Sequence, residues 1–203
     1  MNGLREKLIV LVASVATLSA AGTIFLYRGI TAHRADGLVI NLAGAQRMLS
    51  QKMSKEAILL AGGKGDAKLL RESRNRFERV LNGLLAADRE LGLPAAAAGQ
   101  VVAQLETVRG LWIPFRGSID SLMQKPGQDV PVDEVVRKNP ELLVEMNKAV
   151  TLLEQEANAR VDGILRLQAG LFVALLALLA AAWKWLLAPL LRHLTAVVQE
   201  VDT

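Results

Sequence analysis

NLAGAQRMLSQKMSK, residues Asn41 to Lys55, reads as a helix with two working faces. At about 100° per residue, Val39, Leu42, Gln46, Leu49, Met53, Ala57 and Leu60 fall within roughly 80° of one another. That stripe is a core face, and Gln46 is its single polar member. Ile40, Gly44, Arg47, Gln51, Lys55 and Ile58 form a second stripe of similar width, centred almost opposite. A helix that buries one stripe and presents another belongs in a bundle of helices, with a further partner outside it.

The rest of the chain supports a helical reading. Of 203 residues 52% are hydrophobic but only 4% aromatic, and Ala and Leu dominate. No strand-like alternation or internal repeat competes. The formal net charge of +4 is too small to point to nucleic acid. There is no cysteine, which removes disulfides, thiolate metal sites and thiol nucleophiles together.

Two stretches are long and apolar enough to cross a bilayer. Residues 8–27, LIVLVASVATLSAAGTIFLY, carry no charge. Residues 167–187 begin LQAGLFVALLALLAAAW and end on WKWLL, where Trp183, Trp185 and a snorkelling Lys184 suit a membrane interface. A cleavable signal peptide competes for the first stretch, with Arg5 and Lys7 before it and Ser19-Ala20-Ala21 as a cutting site. The apolar run continues to Tyr27, past any cut after Ala21, which favours an uncleaved anchor. Short flanks bearing Arg5 and Lys7 at one end, and Lys184, Arg192 and His193 at the other, both read as cytoplasmic. The expectation is a two-pass protein of the bacterial inner membrane, with residues 1–7 and 188–203 in the cytoplasm and residues 28–166 in the periplasm.

Four helical stretches fill residues 28–166. The first continues from the first span through Asn41–Lys55 to AGGKGD, residues 61–66. The second runs from Asp66 to Leu91, with Leu70, Phe77, Leu81, Leu84 and Leu91 at helical spacing, and Gly92-Leu93-Pro94 ends it. The third covers roughly Ala95 to Met123, with Pro114 expected to kink or restart it. After the linker KPGQDVP, residues 125–131, the fourth is expected to begin with Asn139 as N-cap and Pro140 in its first turn. Its stripe of Leu142, Met146, Ala149, Leu153, Ala157, Val161 and Ile164 runs on into the second span. The predicted fold is all-α: a membrane-anchored antiparallel four-helix bundle whose first and fourth helices are continuous with two transmembrane helices.

The second stripe of the opening helix carries the chemistry. Glycine inside a helix costs about 1 kcal/mol relative to alanine, and on an outward face a return for it is close approach of another backbone. A second copy related by a two-fold axis is the simplest such partner. Two copies of Arg47 would then repel unless an anion sat between them, and a planar oxyanion matches the guanidinium fork. Spacing alone equally allows a solvated Arg47 and an incidental Gly44. From Arg28 to Arg79 there are eleven basic residues against five acidic, so this helix also sits in positive potential.

The same stretch resembles the N-terminal domain signature of type IV pilus methyl-accepting chemotaxis transducers (PilJ-type). It is also similar to the P-box of NarX/NarQ nitrate and nitrite sensors, in the order Asn, Ala-Gly, Arg-Met. That resemblance implies a periplasmic four-helix bundle that dimerises along its first helix. It further implies one small anion held between paired arginines. Carried over by position, the arginine is Arg47, the glycine Gly44, the leading asparagine Asn41 and the following methionine Met48. Gln46, Leu49, Gln51 and Lys52 follow the pilus-transducer form, which leaves the anion open. LWIPFRGSID, residues 111–120, resembles a later block of the PilJ-type domain. Beyond the second span, APLLRHLTAVVQEV places Pro189, Leu190 and Leu194 in what looks like the first helix of a HAMP signalling module. A surface-bound amphipathic tail is the alternative there.

Catalytic chemistry finds no foothold. GGKGD lacks the first glycine and the hydroxyl residue of a phosphate loop. Glu154 and Glu156 lack a histidine of a carboxylate metal motif, and His33 and His193 are too far apart to suggest a shared site. The expected function is a sensory input domain without enzymatic activity, cofactor or metal. It would act as a homodimer that detects a small anion, nitrate or nitrite foremost, and signal through output on a partner or a further C-terminal region. The alternatives are a ligand-independent module that senses a pilus or membrane partner, and a free-standing truncated receptor.

Overall fold

The computed structural model describes residues 2–93, 99–125 and 129–189. Among them it contains four α-helices: α1 Asn2–Ala61, α2 Ala67–Ala86, α3 Gln100–Gln124 and α4 Asp129–Ala182, the last followed by a π-helical turn at Trp183–Leu187. Leu190 and Leu194, expected in a relay helix, lie outside the described residues. The chain divides into two compact units, one with the residues up to Thr31 and from Ala159, the other Ala32–Asn158.

The second unit is the bundle. Arg74 and Glu78 of α2 pair with Asp120 and Arg116 of α3 in opposite order along the chain, so these helices are antiparallel. Gln104 and Ser118 of α3 likewise bond Glu145 and Glu134 of α4. Gln46 of α1 reaches the Phe77 carbonyl of α2, and Arg47 of α1 reaches Asn147 of α4. Each helix therefore touches both its neighbours around one core. Phe77, Phe115, Met53, Leu70, Leu81, Leu105, Ile119, Leu142 and Met146 are fully buried, and Phe77 stacks on Trp112 at 4.3 Å between ring centroids.

The expected stripes fall where the 3.6-residue period puts them. On α1, Gln46, Leu49, Met53, Ala57 and Leu60 are buried, with Val39 and Leu42 packed at the edge of the core. On α4, Leu142, Met146, Ala149, Leu153 and Ala157 are buried as a continuous stripe.

Two helix boundaries differ from the sequence expectation, and of the two effects expected of Pro114, a kink or a restart, the restart does not occur. Helix α2 stops at Ala86, not Leu91. Asp88 accepts the backbone N–H of Glu90 and of Leu91, and exchanges backbone hydrogen bonds with Leu93. Such local side-chain bonds compete with the helix ladder. Ala87 takes a positive φ of 73° to enter this turn, and Arg79 clamps it through Asp88 and Glu90. Helix α3 passes through Pro114 without restarting. An interior proline costs about 3 kcal/mol, whereas burying Trp112, Phe115 and Ile119 around it contributes about 1.5–3 kcal/mol each. Helix α4 begins at Asp129, ten residues before Asn139, and Pro140 lies inside it. Pro131 occupies its first turn, where a missing N–H costs nothing, and Val135 and Leu142 are buried on either side of Pro140.

The Asp88 turn has a pH signature. Its carboxyl is held below the ordinary aspartate range, foremost by the Leu91 N–H and then by the Arg79 guanidinium. A depressed folded pKa contributes stability that is present above the unfolded pKa of about 3.9 and is lost as pH falls through the folded value. The 87–93 turn is therefore expected to stay intact at pH 4 and to open only in stronger acid, readable as amide shifts of Glu90 and Leu91 in an NMR titration. Opening at the unperturbed aspartate pKa would contradict it.

The other unit contains the two apolar helical stretches. Arg5–Ala61 and Pro131–Trp185 each contain a stretch long and apolar enough to cross a membrane, 6% buried in the first and not buried at all in the second. Core helices of a soluble domain bury such stretches, so these faces call for a non-aqueous surrounding. Thr17 and Thr23 return their hydroxyl protons to the carbonyls of Ala13 and Ser19, which satisfies them without water. Trp183 and Trp185 are exposed at the end of the second stretch.

Candidate functional site

Asn41, Gly44, Arg47 and Met48 lie on successive turns of α1, away from its buried stripe. Asn41, Arg47 and Met48 are exposed, Met48 by 64%, and Gly44 is half-buried. The Arg47 side chain folds back along the helix, the direction helical side chains favour. Its Nη2 lies 3.6 Å from the point a Cβ on Gly44 would occupy. Its Nη1 donates to Asn147 Oδ1 of α4 at 2.9 Å.

Arg47 is tethered to a neighbouring helix by an amide, not by a carboxylate. Arg74, Arg79, Arg109 and Arg116 each sit against a carboxylate. Among the described residues no carboxylate pairs with Arg47, and its partner is a neutral amide. The guanidinium is thus held in place while its positive charge stays uncompensated. Five N–H donors serve one acceptor, so most of the fork remains available.

Around it, the proposed second stripe is open in the single chain. Gln51, Lys55 and Ile58 are exposed, Ile58 by 52%, while Ile40 packs partly against the core. Gly37, one heptad before Gly44, has nothing among the described residues within 4 Å of an added Cβ, and a Cβ on Gly44 meets only Arg47 Nη2 among them. By contrast, a Cβ on Gly83 would come within 2.9 Å of Leu93. Beneath the stripe Ala43, Ser50 and Ser54 are buried, and the Ser50 hydroxyl bonds the Arg47 carbonyl at 2.9 Å. Gln46 donates its amide N–H to the Phe77 carbonyl at 2.7 Å, while its Oε1 is buried without a hydrogen-bond partner among the described residues.

Sequence reasoning missed Asn147. It stands beside Met146 at the margin of the α4 stripe and looks like any solvated flank residue. Only the register of α1 against α4 brings it to Arg47. Its neighbours are engaged elsewhere, since Glu145 accepts from Lys148 at 2.6 Å and from Gln104 at 2.7 Å, and its carboxyl is lowered by those bonds.

The chain thus combines an all-α bundle, two apolar helical stretches long enough to cross a membrane, and an arginine on the first bundle helix held by an amide. The chain belongs to the PilJ-type family: residues 30–137 match the family described as the type IV pili methyl-accepting chemotaxis transducer N-terminal domain. Two curated proteins of Pseudomonas aeruginosa are similar to it. The methyl-accepting chemotaxis protein McpN is 35% identical over 155 residues, covering 76% of this chain and 29% of McpN. The protein PilJ is 37% identical over 105 residues, covering 51% of this chain and 15% of PilJ. The chain thus spans less than a third of the length of either. A solved structure, the ligand-binding domain of the P. aeruginosa nitrate receptor McpN, matches at 36% identity with a TM-score of 0.55, covering 59% of this chain and 96% of that one.

Proposed function

We propose that this chain is the input half of a transmembrane receptor and binds a small planar oxyanion, nitrate or nitrite, between Arg47 and its mate in a two-fold dimer. The observation that carries the reading is an arginine fixed by a neutral amide and left without a carboxylate, on the helix face that also holds Gly44. The solved domain of a nitrate receptor at 36% identity supports the choice of anion. Asn41 and Met48 flank the site one turn either way, and Ile40, Gln51, Lys55 and Ile58 complete the dimer face. The domain has no enzymatic role. It lies in the periplasm as residues 28–166, between spans at 8–27 and 167–187, with both termini cytoplasmic.

Signal transfer follows from charge. Without the anion two guanidinium groups oppose close approach of the α1 helices; with it they are bridged. The anion shifts the arrangement only by its differential affinity for the two states. A displacement of α1 against α4 would then travel through the spans to Pro189 and a HAMP-like helix with Leu190 and Leu194. The similarity to PilJ and the exposed Met48 and Ile58 favour one second reading, a ligand-independent face for a pilus or membrane partner.

Calorimetric titration of the full chain in lipid nanodiscs with potassium nitrate separates the two. Saturable binding at one anion per two chains, absent with potassium chloride, is expected. No heat beyond dilution with nitrate or nitrite would leave the protein-partner reading standing.

A further inference from the structure

We infer that Asn147 of α4 is a positioning residue for the anion site, holding Arg47 ready for an oxyanion without neutralising it and tying the site on α1 to the helix that leads into the second span. The inference rests on the oxyanion reading of Arg47. Three observations carry it. The Arg47 Nη1–Asn147 Oδ1 bond, at 2.9 Å, is a side-chain link between α1 and α4 made by the candidate ligand-binding group itself. It uses one donor of the fork, so the Nε–Nη2 edge keeps its parallel pair of N–H groups for a planar oxyanion. Its acceptor is an uncharged amide, although carboxylates are the partners of Arg74, Arg79, Arg109 and Arg116 in the same bundle.

The choice of amide over carboxylate has a chemical consequence. A carboxylate at position 147 would hold Arg47 at least as firmly but would occupy its charge, and an incoming anion would have to displace it. An amide holds the side chain in one direction, lowers the ordering cost when the anion arrives, and leaves the full positive charge. An anion that draws Arg47 toward its mate also pulls on Asn147, so occupancy is reported to α4 directly.

Asn147→Asp and Asn147→Leu in the full chain, in nanodiscs, with potassium nitrate as probe, test this. Asn147→Asp is expected to lower nitrate affinity tenfold or more while Tm holds or rises, because the tether survives and the charge does not. Asn147→Leu, which loses only the tether, is expected to lose about threefold to tenfold, with Asn147→Gln recovering part of it. Wild-type affinity in Asn147→Asp, with Arg47→Ala abolishing binding, overturns this inference and leaves the oxyanion reading intact. Parallel losses of affinity and Tm in both variants would mark the residue as merely structural and also overturn it. Absence of nitrate binding in the wild-type chain overturns both readings together.

Discussion

Arg47→Ala is expected to lower nitrate affinity by at least a hundredfold while barely changing the folding stability of the bundle. The two effects separate because Arg47 is exposed and its bond to Asn147 is a surface bond, worth about 1 kcal/mol or less. Binding, by contrast, loses charge-assisted hydrogen bonds from both copies in the dimer, each worth about 1.5–3 kcal/mol. Their sum of about 3 kcal/mol or more corresponds to at least two decades in Kd. The variant has a second signature. Removing two like charges from the interface should let the ligand-free dimer form more readily, and its dimerisation should no longer depend on nitrate. Sedimentation in detergent with and without nitrate reads this alongside calorimetry. Nitrate affinity unchanged in Arg47→Ala would remove Arg47 from the site, whatever the fate of the dimer.

What could be read in advance was set by periodicity. The α1 and α4 core stripes were legible because burial on one side of a helix repeats at a fixed spacing, and Leu49, Met53, Leu142 and Met146 obey it. Helix ends were less legible because they are decided by competition between weak local terms. Asp88 ended α2 through two backbone bonds that its sequence context, AADRELG, does not announce. Pro114 and Pro140 looked like boundaries because proline is costly in a helix, yet the buried residues on both sides of each outweigh that cost. The candidate site was only partly legible. Gly44 and Arg47 were visible as a misplaced glycine and a cation on one stripe. Asn147 was not, since no residue pattern encodes which turn of α4 faces which turn of α1.

Gly44→Ala is expected to move stability and function in opposite directions. Among the described residues an alanine Cβ at this position meets only Arg47 Nη2, at 3.6 Å, an ordinary van der Waals separation. Alanine also avoids the backbone entropy that glycine gives up in a helix, so the bundle should gain about 0.5–1 kcal/mol, a Tm rise of roughly 2–4 °C. Gly29 and Gly83 would not behave this way, because a Cβ there comes within 2.9 Å of Ile164 or Leu93. A glycine that its own chain would be better off without points to a requirement outside the chain. If that requirement is close approach of a second α1, the variant places two methyl groups in the interface and holds the two guanidinium groups apart. Nitrate affinity should then fall tenfold or more despite the higher Tm. Differential scanning calorimetry and nitrate titration on the same preparation decide the matter. A gain in Tm with wild-type nitrate affinity would show that nothing packs against Gly44, and the two-fold arrangement of α1 would have to be abandoned even if Arg47 still bound the anion.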